Sequence, residues 1–145
     1  MTTRSSDITR KFLLTGNEIY SDVPVIASDI IYEGSAVGES TTTGTFRPLA
    51  GADTFRGFCV RRADNASGAA SAIKVRVIEQ GLVQLTVTGV DNANDVDAAV
   101  YASDDDTFTL TSTTTNTQIG KVITVDDTTN NLATVFFQSV GLRSI

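Results

Sequence analysis

The sequence predicts an all-β protein, a small antiparallel β-barrel or sandwich with an extended N-terminal arm, and three observations carry that expectation. No stretch repeats apolar side chains at helical spacing over a sizeable length, and threonine stands where helices favour Leu, Glu and Lys. Ile73, Val75 and Val77 alternate with Lys74 and Arg76, and Val83, Leu85 and Val87 with Gln84, Thr86 and Thr88, the period of half-buried strands. Finally, a pattern of strand, turn, strand, loop and strand occurs at residues 98–125 and, in looser form, at 36–60. Ala36-Val37 aligns with Ala99-Val100, Thr45-Phe46 and Leu49 with Thr107-Phe108 and Leu110, and Gly57 with Gly120. The alignment has gaps; if it is a true internal repeat, the domain is a barrel-like unit of two related halves.

A chain of 145 residues, 41% hydrophobic and 19% charged, is one domain's worth and can bury a core without disulfides or metal. We divide it into an N-terminal arm, 1–22, and a single β-domain, 23–145. Residues 1–10 are polar and read as an extended arm. Residues 11–20 bring Phe12, Leu13, Leu14, Ile19 and Tyr20 around Gly16-Asn17, and that much apolar surface either packs on the chain's own barrel or docks on a neighbouring subunit. Pro24 suits a sheet edge or a strand start. Ile30-Ile31-Tyr32 is β-rich, Gly34 permits a positive φ, and Ala36-Val37 resumes a strand. Pro48 breaks the short strand from Phe46 to Leu49, and Gly51-Ala52-Asp53 turns the chain into a strand from Phe55. Residues 63–71 form a small-residue loop whose Asn65-Ala66-Ser67 reads as turn chemistry. The alternation after Ile73 keeps its parity across Glu79-Gln80-Gly81, so one bent strand with a bulge at Gly81 is favoured over a hairpin. Residues 89–97 leave room for one helical turn. Ile119 to Val125 and Leu132 to Phe137 are apolar on both parities, which predicts strands covered on both faces.

Chemistry is sparse. With no histidine, Cys-His and Ser-His nucleophiles and histidine-ligated metals are excluded, and the one cysteine, Cys59, sits in an apolar run as a buried thiol. Asp104-Asp105-Asp106, with Asp126-Asp127, offers carboxylates to Ca²⁺ but lacks the spaced Asp-x-Asp-x-Asp-Gly loop that wraps that ion, so a solvated turn is expected, with no metal or cofactor and no enzyme activity. The net charge is −6, and beyond Arg76 only Lys121 and Arg143 are basic against nine acids. That half should repel nucleic acid and anionic membrane, leaving neither as a direct partner. The apolar runs are too short to span a bilayer and no cleaved-leader pattern is expected at the N-terminus. Glycan binding usually uses flat aromatic platforms; here there is no Trp, and only Tyr20, Tyr32 and Tyr101.

The segments IYEGSAVGES, FRGFCVRRADNASGAASAIKVRV and AAVYASDDDTFTLTSTTTNTQIGKVITVDD, in that order, resemble the small decoration, or cement, proteins of tailed-bacteriophage heads. The matching motifs run from Gly34 to Val37, Gly57 to Gly68 and Val100 to Val122, while residues 1–28 match none. The resemblance implies a structural virion protein on the outer capsid surface, made in the host cytoplasm. It would be commonly trimeric, with the major capsid protein and its own copies as partners. On that reading Arg4, Arg10, Lys11, Phe12, Leu13 and Leu14 form a tether that pairs positive charge with an apolar anchor, and Val135, Phe136 and Phe137 form the subunit interface. The alternative is a host- or glycan-binding adhesin or fibre-associated β-domain.

Overall fold

A computed structural model describes residues 4–13, 15–40 and 44–143. Among them run twelve strands: β1 (Lys11–Leu13), β2 (Ile19–Pro24), β3 (Asp29–Ile31), β4 (Ala36–Glu39), β5 (Phe46–Pro48), β6 (Thr54–Cys59), β7 (Ala63–Asn65), β8 (Lys74–Thr88), β9 (Ala99–Ala102), β10 (Phe108–Thr109), β11 (Thr117–Asp127) and β12 (Leu132–Gln138). A 3₁₀ turn, Ala93–Asp95, and one closing turn of helix, α1 (Val140–Arg143), complete the described chain. The fold is all-β, and the boundary expected after residue 22 falls inside β2.

The spine is β8. Its odd positions from Val75 to Val87 are buried, and apart from Ile78 its even positions are exposed or half-buried, as the alternation predicts. It is one continuous strand of 15 residues, with Glu79 and Gly81 on the buried side. The irregularity falls at Glu79 rather than at Gly81: Ile19 pairs with Gln80 and Tyr20 with Ile78, leaving Glu79 as the extra residue. Burial of Glu79 is offset by Ser139, whose N–H donates to the Glu79 carbonyl and whose Oγ donates to Oε1, both at 2.8 Å. Arg56 Nε lies 3.2 Å from the same carboxylate.

Both edges of β8 are used. Residues Leu82–Gln84 pair with β1 and with β12, and Val77 and Ile78 with β2 and with β6, so β1 and β2 share one edge and β6 and β12 the other. Each half of β8 therefore enters its own ring. The second ring runs β8, β12, β11, β9, β10 and back to β8, where Phe108 and Thr109 pair in parallel with Val87 and Thr88. The first runs β2, β8, β6, β4 and β5, and closes where Phe46 bridges Val25 in parallel and Ile26 N–H donates to the Phe46 carbonyl at 2.9 Å.

The two rings agree in register. In the first, Val37 pairs with Gly57 and Gly38 with Phe55, so Arg56 bulges; in the second, Val100 pairs with Gly120 and Tyr101 with Gln118, so Ile119 bulges. Across the next pairing Phe58 faces Ile78, and Lys121 faces Phe136. The aligned motifs are thus a structural repeat, and the repeat reaches further than they do: β2 corresponds to the second half of β8, and the first half of β8 to β12. Glycine is required at Gly57 and Gly120 for one reason. A Cβ at either would collide with the backbone carbonyl oxygen across from it, that of Ile78 or of Phe136.

The cores correspond as well. Val23, Val25, Val37, Phe46 and Cys59 fill the first barrel, where Leu85, Val87, Val100, Phe108 and Val122 fill the second. Ile31 and Ala63, from the small β3–β7 ribbon, cap the first core. There Asn65 is buried and donates from Nδ2 to the Ile26 and Ala69 carbonyls, at 2.8 and 3.0 Å, which makes its tripeptide a structural turn.

Between the barrels lies an aromatic joint. Phe55 and Phe58 of β6 meet Phe137 of β12 edge to face, with centroids 5.8 Å apart for Phe55–Phe58 and 4.9 Å for Phe58–Phe137. Such pairs add about 0.5–1.5 kcal/mol each beyond the area they bury. The expectation of strands covered on both faces is corrected here. In β11 the bulges at Ile119 and Ile123 change which parity faces inward, so both parities are apolar although Lys121 and Thr124 are exposed. In β12, Val135 and Phe137 are fully buried, and Phe136 alone of the three points outward.

Candidate interaction surface

The arm is laid onto the domain instead of projecting from it. Ile8 N–H donates to the Glu33 carbonyl at 3.0 Å, and Glu33 N–H donates to Asp7 Oδ1 at 3.0 Å. Arg4 and Arg10 both pair with Asp106. Arg10 also donates from Nε to the Gly34 carbonyl at 2.9 Å and lies over the ring of Phe108, 5.5 Å from its centroid. Only 9% of its side chain is exposed, so neither arginine is a free cation awaiting a partner. Phe12 enters the aromatic joint, 6.2 Å from Phe58 and 6.1 Å from Phe137. Of the six residues expected to form a tether, Arg4, Arg10 and Phe12 are therefore committed within the chain. Lys11 and Leu13 face outward, and Leu14 lies outside the described residues.

The acidic turn is not solvated either. Asp104 and Asp105 are buried where the barrels meet: Asp104 bridges Ala50, and Ala36 N–H donates to the Asp105 carbonyl at 2.9 Å. Asp105 Oδ2 accepts from Arg4 N–H at 3.0 Å and from Ser35 Oγ at 3.1 Å, while Oδ1 is buried without a partner. Burial pushes the Asp105 carboxyl above its ordinary value; the two hydrogen bonds oppose that rise, and the neighbouring Asp104 and Asp106 add to it. A carboxylate held this way ties the arm and Ser35 to the joint between the barrels. Among the described residues no group of three or more Cys, Asp or Glu is placed to hold a metal ion. Cys59 is a buried thiol pushed up to about 12 by burial, which removes it as a nucleophile near neutral pH.

What remains outward is a row of apolar side chains. Leu13 pairs with Leu82, and Leu82 with Phe136, so the three stand side by side on the outer face of β1, β8 and β12. Leu13 is 38% exposed, and Leu82 and Phe136 are half-buried. Ile19, 39% exposed, stands beyond them across a groove of about 680 Å³ lined by Gly16, Gln80, Leu82 and Phe136. The adjoining row is polar and ordered. Asp126 accepts from Gln84 Nε2 at 3.0 Å, Thr134 Oγ1 at 2.7 Å and Thr124 Oγ1 at 2.8 Å, with Lys11 nearby. Partial burial raises the Asp126 carboxyl, but those bonds and Lys11 outweigh it and hold it below the usual carboxylate range.

Sequence reasoning singled out Phe136, Leu13 and Ile19, though not as one surface, and missed Leu82. The signal for Leu82 was present: it is the one aliphatic residue on the otherwise polar parity of β8 between Gln80 and Thr88. No helix among the described residues is long and apolar enough to cross a membrane. No protein-family model matches the chain, and no curated protein sequence matches it either.

Proposed function

We propose that this chain is a structural binding module that decorates the outside of a tailed-bacteriophage head and cements neighbouring major-capsid subunits against internal DNA pressure. The observation that carries the reading is the outward apolar row Leu13, Leu82 and Phe136, set on two fused barrels and bordered by the ordered Asp126 network. A rigid platform loses little conformational entropy on docking, so a modest apolar contact suffices when several copies act together. The resemblance of the three motif segments to cement proteins supports the capsid as partner. In this reading the protein acts as a trimer, with Phe136 rather than Val135 or Phe137 as the residue of β12 free to meet a neighbour.

The test is co-sedimentation with purified heads that lack the protein, alongside binding to whole host cells and sedimentation velocity of the free protein. Wild type should bind heads and raise the temperature at which they release DNA. Phe136→Thr with Leu82→Thr should lose head binding by about tenfold or more while the melting temperature falls by only a few degrees, because both side chains are already partly in water and threonine suits a strand. Binding to cells without binding to heads would favour the adhesin alternative and reject the cement reading.

A further inference from the structure

The repeat exposes a position that is filled in one barrel and open in the other. In the second barrel β1 lies along β8, with Lys11 opposite Gln84, Phe12 opposite Val83 and Leu13 opposite Leu82. Leu85 and Val87 correspond to Val23 and Val25, so Leu82, Val83 and Gln84 correspond to Tyr20, Ser21 and Asp22 of β2. Among the described residues no strand pairs with the outer edge of β2 at those three positions. Burial records the difference. Val83, covered by Phe12, is 0% exposed, whereas Ser21 is half-buried and its Oγ is shut off from water with no hydrogen-bond partner. Beside it Tyr20 is 42% exposed under the guanidinium of Arg76, and Asp22 is an exposed carboxylate 3.5 Å from that same Arg76.

We propose that the Tyr20–Asp22 edge of β2 is a strand-addition site for an extended segment of a partner protein. The segment runs antiparallel to β2 in the register that β1 takes on β8. Three side chains set its chemistry. A lysine or arginine stands opposite Asp22, a small residue lies opposite Ser21, whose hydroxyl is already enclosed, and an aliphatic residue packs outside against Tyr20. The occupant is a different protein because this chain's own basic and apolar strand, Lys11–Leu13, is already paired within the molecule, and its Phe12 is held in the aromatic joint. The site does not depend on the shell reading, since any chain with this pattern fits it.

A synthetic peptide with the sequence of residues 8–15 and threonine in place of Phe12 serves as the probe, followed by calorimetry and amide hydrogen exchange on the whole protein. Saturable binding is expected, with exchange at Tyr20 to Asp22 slowed about tenfold or more and Leu82 to Gln84 unchanged. Asp22→Lys should weaken the peptide about tenfold, and a peptide carrying glutamate at the lysine position should regain that loss on the variant. Asp22 is exposed, so the variant's melting temperature checks that it still folds. The proposal is overturned by no binding at millimolar peptide, or by protection appearing at Leu82 to Gln84, which means the peptide displaces β1. Self-association of the protein that disappears in Asp22→Lys overturns it too, because the occupant is then a second copy.

Discussion

The two barrels share a register and differ in their surroundings. Val37 and Val100, Phe46 and Phe108, and Gly57 and Gly120 occupy matching places and meet matching neighbours. The outer faces do not match. Phe55, Phe58 and Ile78 of the first barrel are buried against the second, whereas their counterparts Gln118, Lys121 and Phe136 face outward. The inward pattern specifies a barrel, and the outward residues specify what that barrel meets. Phe136 keeps an apolar side chain at the position where Ile78 is covered by a neighbour, which is why the outer face of β12 reads as an interface.

The largest contrast is expected at Phe58 and its counterpart. Phe58→Ala should cost roughly 3–5 kcal/mol by opening the aromatic joint, while Lys121→Ala should stay within about 0.5 kcal/mol. Scanning calorimetry reads both. One shifted transition for Phe58→Ala is expected of barrels fused through β8, and two transitions with only one displaced would show that the barrels unfold separately.

A smaller effect tests the repeat itself. Gly57→Ala and Gly120→Ala should each destabilise by about 2–3 kcal/mol, because each methyl would strike a backbone carbonyl that cannot move without breaking a ladder. Urea midpoints falling by similar amounts support equivalence; full tolerance at one glycine would break it.

The smallest effects are in pH dependence, and there two aspartates should pull in opposite directions. Asp126 lies below its ordinary 3.8 when folded, so the stability it adds is present above that value and is lost as pH falls through the lower folded value. Asp105 lies above 3.8 when folded, so protonation favours the folded state and stability is gained as pH falls through its raised value. Unfolding midpoints between neutral and strongly acid pH should therefore drop less steeply than wild type for Asp126→Asn and more steeply for Asp105→Asn. Parallel curves would mean that neither carboxylate is held as described.

Much of the fold was legible because its signals are local. Alternation from Val75 to Val87 announced a strand, and Gly57 and Gly120 marked the same bulged corner twice. The repeat was underestimated because β8 serves both rings, and a strand shared between two copies gives no second stretch of sequence to align. Glu79 was passed over for Gly81 because glycine is the familiar mark of a bulge, whereas this bulge rests on contacts from Ser139 and Arg56, far away in sequence. The surface was only half legible: Phe136 was singled out, but its partners come from β1 and β8 and are joined to it by strand pairing alone.

Composition and periodicity were enough to predict an all-β chain and a buried thiol and to raise a duplicated motif that only the strand register established, since the first two follow from a residue and its near neighbours. The fates of Arg4, Arg10 and Asp105 were not written there. An acidic run beside a basic arm looks the same on paper whether water or protein surrounds it. Folding places Asp104 to Asp106 between two barrels and draws the arm's arginines across them, because a carboxylate taken out of water must find donors nearby. Whether an outward apolar residue becomes core, as Ile78 does, or surface, as Phe136 does, depends on which barrel lies beside it, and that is a property of the assembled fold.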